Sequence, residues 1–148
     1  MSFAKLAMKR QVGFEIKDYT HYSQFQEYQA KEIIKEIGSL NIPIRDFSVL
    51  ELAAGVGGYS NELYRSCRFF ISSDIYKFPN YRHHPFIDYI IFDASKQYPF
   101  EDDSFDFIFC SSLIEHVKDP AEMMREIKRV LTFKGYLYLR FPPFFSPS

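Results

Sequence analysis

Along the first third of the chain, apolar side chains recur at Ala30, Ile33, Ile34 and Ile37, the i, i+3, i+4, i+7 spacing of a single helix face. The spacing predicts an amphipathic helix over 21–38, with Gly38 standing where a helix C-cap belongs. After Pro43 the period changes. Residues 47–55 (FSVLELAAG) form a continuous apolar run of strand length ending in small residues, as a parallel strand buried on both faces does before a tight turn. Residues 57–67 read as a short helix and 68–74 (RFFISSD) as a second strand. From Ile75 to Pro85, two prolines and several turn formers predict irregular structure or one short helix. Residues 86–93 (FIDYIIFD) and 105–111 (FDFIFCS) read as a third and a fourth strand, separated by the polar stretch 94–104.

The last helix carries the clearest start signal. Asp119 suits the N-cap, Pro120 the first helical position, and Glu122 the carboxylate position of a capping box. This helix should run to a turn at Lys134–Gly135, followed by a fifth strand over 136–141 (YLYLRF). Strands alternating with helices over short links predict an α/β fold with a doubly wound, mostly parallel sheet. The 148 residues are enough for one core, so a single domain is expected: a helical cap over 1–45, an α/β core over 46–142 and a tail over 143–148.

In such a sheet, ligands bind at the carboxyl ends of the strands beside the first strand-to-helix turn, where glycines let the backbone approach closely. That turn holds Gly55, Gly57 and Gly58. A Gly-x-Gly pair alone is weak evidence, but three acids accompany it. Asp74 ends the second strand about 20 residues later, where an acid can accept hydrogen bonds from ribose hydroxyls. Asp93 ends the third strand. Glu51 sits inside the first, where an unpaired carboxylate would be costly. The set points to a ligand with a ribose and an amine-bearing or positive group.

On these residues the sequence resembles the class I S-adenosylmethionine-dependent methyltransferases, of the type 11 kind. Their acid-x-Gly-x-Gly-x-Gly pattern is matched at Glu51, Ala53, Gly55 and Gly57, with Ala53 replacing the first glycine. The stretch from Tyr98 to Pro142 resembles the family's fourth strand, helix and fifth strand nearly throughout. The resemblance implies a Rossmann-like fold and S-adenosyl-L-methionine as cofactor, with Asp74 on its ribose and Asp93, beside Ala94, on its adenine amine. Ser111 joins this implied cofactor set. Ser111, Ser112, Glu115 and His116 follow the fourth strand near where the methyl would point, and His116 is the one candidate base. The family's amino-methylating branches carry Asn-Pro-Pro-aromatic here, and CSSLIEH does not, which turns expectation away from nucleic-acid bases and toward a small-molecule, lipid or sugar acceptor. Members usually continue into a helix and a β-hairpin. The chain is therefore expected to be cut short, lacking that hairpin, with strand 136–141 left as an edge on which copies self-associate.

Composition narrows the setting. The formal net charge of −1 gives no general attraction to nucleic acid or anionic membranes, and there is no apolar run of membrane-spanning length or signal-peptide form. Cys67 and Cys110 have neither disulfide-framework nor metal-site spacing, so a cytoplasmic protein with reduced thiols and no metal is expected. The 17 Phe and 11 Tyr predict an aromatic core. Tyr19, Tyr22 and Tyr28 fit an aromatic helix face packed on the sheet better than a lid over a cofactor. Two other readings compete: a catalytically silent module that binds a cofactor or a partner, and a nicotinamide-dependent oxidoreductase. The second is weakened by Ser60, which occupies the third glycine position of Gly-x-Gly-x-x-Gly.

Overall fold

Five parallel strands form the middle layer: β1 (Ser48–Leu52), β2 (Phe69–Asp74), β3 (Asp88–Ile91), β4 (Phe105–Ser111) and β5 (Leu131–Arg140), in the spatial order β3-β2-β1-β4-β5. The structure is a computed structural model that describes residues 11–82 and 84–141. The expected tail at 143–148 and the first ten residues of the cap lie outside them. The order makes the chain reverse direction across the sheet between β1 and β4. Such a switch point opens a crevice at the strands' carboxyl ends.

Alternation along the strands divides the core in two. Val49, Phe70, Phe107 and Phe109 face α1 (Tyr19–Ser39) and α2 (Gly58–Leu63), meeting Ala30, Ile33, Ile37, Tyr59 and Leu63. Leu50, Leu52, Ile71, Ile108 and Cys110 face α3 (Pro120–Val130) and its Met123, Ile127 and Val130. Burial of both sheet faces explains why β1 and β4 read as continuous apolar runs. Each fully buried side chain of this size contributes roughly 1.5–3 kcal/mol.

Several boundaries depart from expectation for physical reasons. The first helix starts at Tyr19 because the Asp18 carboxylate accepts the His21 N–H at 2.9 Å. It also continues through Gly38, and Asn41, with φ +56°, supplies the left-handed residue after the helix. Tyr19, Tyr22 and Tyr28 are exposed, not packed on the sheet; the face that packs is Phe25, Ala30, Ile33 and Ile37. The described residues of the 75–85 segment are irregular, the first of the two expected alternatives. In α3 only half of the capping box forms: Asp119 accepts the Glu122 N–H at 2.9 Å, while the Glu122 carboxylate turns to Arg125. The turn expected at Lys134–Gly135 is absorbed into β5. Phe105 pairs with Leu131 but Phe107 with Tyr136, so the extra residues bulge from the ladder and leave Phe133 98% exposed. No helix among the described residues is long and apolar enough to cross a membrane.

Candidate functional site at the carboxyl ends of the strands

β1 ends at Leu52, and the chain turns sharply through Ala53 (φ +58°), Gly55 (φ +56°) and Gly57 (φ +82°) into α2. Glycine adopts this left-handed backbone freely, whereas an alanine there costs about 1 kcal/mol. Ala53 therefore holds a glycine-like conformation despite its methyl, a strain retained at the position where the backbone must stay open. The helix that follows sits very close to its neighbours. A Cβ at Gly57 would stand 2.7 Å from the Tyr81 ring, and one at Gly58 would stand 2.5 Å from the Ser23 carbonyl oxygen on α1. Close helix packing thus rests on Gly58, and the buried Ser60 is free to serve another role.

That role is to hold Glu51. The Glu51 carboxylate is buried on the α2 side, where its Oε2 accepts hydrogen bonds from Ser60 and, at 2.9 Å, from Ser72 on β2. Its Oε1 has no partner among the described residues. Burial pushes the Glu51 carboxyl up to about 7, against the lowering pull of the two serine hydroxyls. The Tyr81 hydroxyl is buried in the same region and likewise lacks a partner among the described residues.

On the other side of the turn lies a cleft of about 470 Å³ bordered by Ala53, Asp74, Asp93, Ala94 and His116, with Ile75, Phe92 and Leu113 as its apolar walls. Asp74 ties the turn to β2: its Oδ2 accepts the Gly55 N–H at 2.9 Å and its Oδ1 the Ile75 N–H at 2.7 Å. Each carboxylate oxygen keeps a further lone pair for a ligand hydroxyl. Asp93 lies just past β3, which ends at Ile91. Ser95 holds its Oδ1 through the backbone N–H at 2.9 Å and the hydroxyl at 2.6 Å. These Ser95 hydrogen bonds hold the Asp93 carboxyl below its usual range, so at neutral pH it is an ionised acceptor.

The profile of the methyltransferase domain matches residues 50–139, which run from within β1 to within β5 and include Glu51, Asp74 and Asp93. The chain belongs to this methyltransferase family. Solved structures agree on the fold. Protein PH0226 from Pyrococcus horikoshii is 28% identical over 77% of this chain and 57% of its own, with a TM-score of 0.62. A SAM dependent methyltransferase from Aquifex aeolicus is 18% identical over 79% and 65%, with a TM-score of 0.63. The trans-methyltransferase CalH, solved with SAH, is 18% identical over 80% and 38%, with a TM-score of 0.62. This chain spans half or less of the length of the first solved structures it matches. No curated protein sequence matches it significantly.

In this methyltransferase domain, Ala53, Asp74, Asp93, Ala94 and His116 line one cleft, with Gly55 and Gly57 in the turn beside it. Glu51 lies beneath the turn and not in the cleft lining. Ser111 is also elsewhere. Alternation along β4 sends Cys110 toward α3 and Ser111 toward the Tyr59 hydroxyl on the α2 side. His116 closes a short 3₁₀ turn (Ile114–His116), highly exposed, with its Nε2 4.0 Å from the Glu115 carboxylate. The reading of the sequence missed the apolar walls Ile75, Phe92 and Leu113. The first two directly follow or precede the acids, and an apolar residue next to each strand-end acid was the signal available.

Proposed function

We propose that this chain binds S-adenosyl-L-methionine in the cleft between Asp74 and Asp93 and serves methyl transfer to a small-molecule, lipid or sugar acceptor. The observation that carries the reading is the convergence of two carboxylates from neighbouring strands on one apolar cleft beside an open, left-handed turn. A nucleoside fits that chemistry. Asp74 has lone pairs left for vicinal hydroxyls, ionised Asp93 has an oxygen, Oδ2, whose one partner among the described residues is the exposed Lys96 at 3.8 Å and which keeps a lone pair for an exocyclic amine, and Ile75 and Leu113 offer apolar surface to a base.

The cofactor would supply a methyl group already activated on a sulfonium, so this chain's part is to hold, align and dry the reactants. Asp74 orients through the ribose, Asp93 through the base, and the Ala53–Gly57 backbone admits the rest of the ligand without side-chain obstruction. A base is needed only for acceptors that must lose a proton, and His116, at the cleft margin, is positioned to take it. A cytoplasmic setting, in which Cys67 and Cys110 stay reduced, is part of the same proposal.

Calorimetric titration with S-adenosylhomocysteine tests the reading. Dissociation constants in the micromolar range are expected, with no heat from NADH; the reverse pattern would replace methyl transfer with hydride transfer. Self-association belongs to the same proposal. Among the described residues β5 pairs with β4 alone, and this edge strand carries exposed Tyr136 and Phe133. Sedimentation at tens of micromolar is expected to show dimers or larger species, and a Phe133→Lys chain to shift toward monomer; a strictly monomeric parent chain rejects this contact.

A further inference from the structure

The residues after Asp93 form a tight turn closed by the Lys96 N–H donating to the Asp93 carbonyl at 3.0 Å. The central peptide of such a turn, between Ala94 and Ser95, is the one that flips between the common turn types. Two contacts fix it here. The Ser95 N–H donates to Asp93 Oδ1 at 2.9 Å, and the Tyr98 hydroxyl donates to the Ala94 carbonyl at 3.1 Å. A flip would break both at once.

Tyr98 is itself held rigidly. It is 2% exposed, with its ring against Phe92 at 4.8 Å. Its N–H donates to Glu126 Oε2 at 2.7 Å, and its carbonyl accepts from Arg129 Nη2 at 3.2 Å. Arg129 also pairs with Glu126 at 2.7 Å and Asp102 at 2.8 Å and donates to the Phe100 carbonyl at 2.8 Å. A clamp on α3 therefore reaches through one tyrosine hydroxyl to the wall of the cleft.

We propose that Tyr98, held by Glu126 and Arg129, is a positioning residue that sets the base specificity of the cleft by fixing the Asp93–Ser95 turn. With Asp93 Oδ1 committed to Ser95, Oδ2 faces the exposed Lys96 ammonium at 3.8 Å and keeps lone pairs for a ligand donor, which suits a base bearing an exocyclic amine over one bearing a carbonyl oxygen. The inference rests on the nucleoside reading of the cleft given above.

The test compares S-adenosylhomocysteine with S-inosylhomocysteine, which carries a carbonyl in place of the amine, on the parent chain and on Tyr98→Phe. The parent is expected to prefer the adenosyl compound by about 10-fold or more, the cost of leaving a charged acceptor facing an acceptor. Tyr98→Phe keeps the ring and loses the hydroxyl, and the preference should fall by about 5-fold with weaker adenosyl binding. Ile37→Val, in the opposite core layer, lowers stability without touching the turn and should leave the preference unchanged. A Tyr98→Phe chain with the parent's preference overturns the proposal, as does a parent that binds both compounds equally. Should Tyr98→Phe not fold, Glu126→Gln loosens the same clamp and is judged by the same ratio. A parent that binds neither compound refutes the nucleoside reading itself, a separate result.

Discussion

An Asp74→Ala chain should keep its fold and lose about 100-fold in affinity for S-adenosylhomocysteine, some 3 kcal/mol, which corresponds to two charge-assisted hydrogen bonds to ribose hydroxyls. The carboxylate also acts on the protein. Its Oδ2 holds the Gly55 N–H and its Oδ1 the Ile75 N–H, so its removal frees the glycine turn as well as the ligand. Asp74→Asn separates the two roles. The amide still presents one oxygen to a backbone N–H but removes the charge and one acceptor, and a loss nearer 10-fold is expected. Calorimetric titration with a melting curve for each variant decides the matter. Unchanged binding by Asp74→Ala would remove Asp74 from the cofactor site and leave it only the task of closing the turn.

Periodicity and local signals revealed what local physics controls. The continuous apolar runs became β1 and β4 because both sheet faces are covered, and Asp119 caps α3 through a contact three residues away. What stayed hidden depends on register and on segments without periodicity. Ser72 reaches Glu51 because β1 and β2 pair in parallel with those two residues opposite each other. Ser60 joins them from the first turns of α2, where it was read only as a missing glycine. Tyr81 and Tyr98 lie in stretches without regular periodicity, where no pattern predicts that one packs on Gly57 and the other bonds to Ala94. The site residues that proved hardest to place, Glu51 and Ser111, sit on strands whose alternation turns them away from the cleft.

Glu51 gives the fold a pH dependence that runs opposite to that of most carboxylates. Its carboxyl titrates near 7 in the folded chain and at an ordinary 4.5 in the unfolded one, because desolvation outweighs the hydrogen bonds from Ser60 and Ser72. Below pH 4.5 both states are protonated, and the neutral acid costs the fold little. As pH rises from 4.5 to 7, the unfolded chain releases this proton while the folded chain keeps it, so stability falls. Above 7 the folded carboxyl ionises too and the loss levels off at about 3 kcal/mol, the 2.5-unit difference at 1.36 kcal/mol per unit. Glu51→Gln reproduces the neutral acid in size and keeps one oxygen for the serine hydroxyls. It should match the parent chain near pH 4.5 and exceed it by about 3 kcal/mol at pH 8. Urea unfolding of both chains across this range measures the difference directly. Parallel stability curves would mean that the carboxylate is charged throughout, with a cation or solvent at Oε1 compensating its burial.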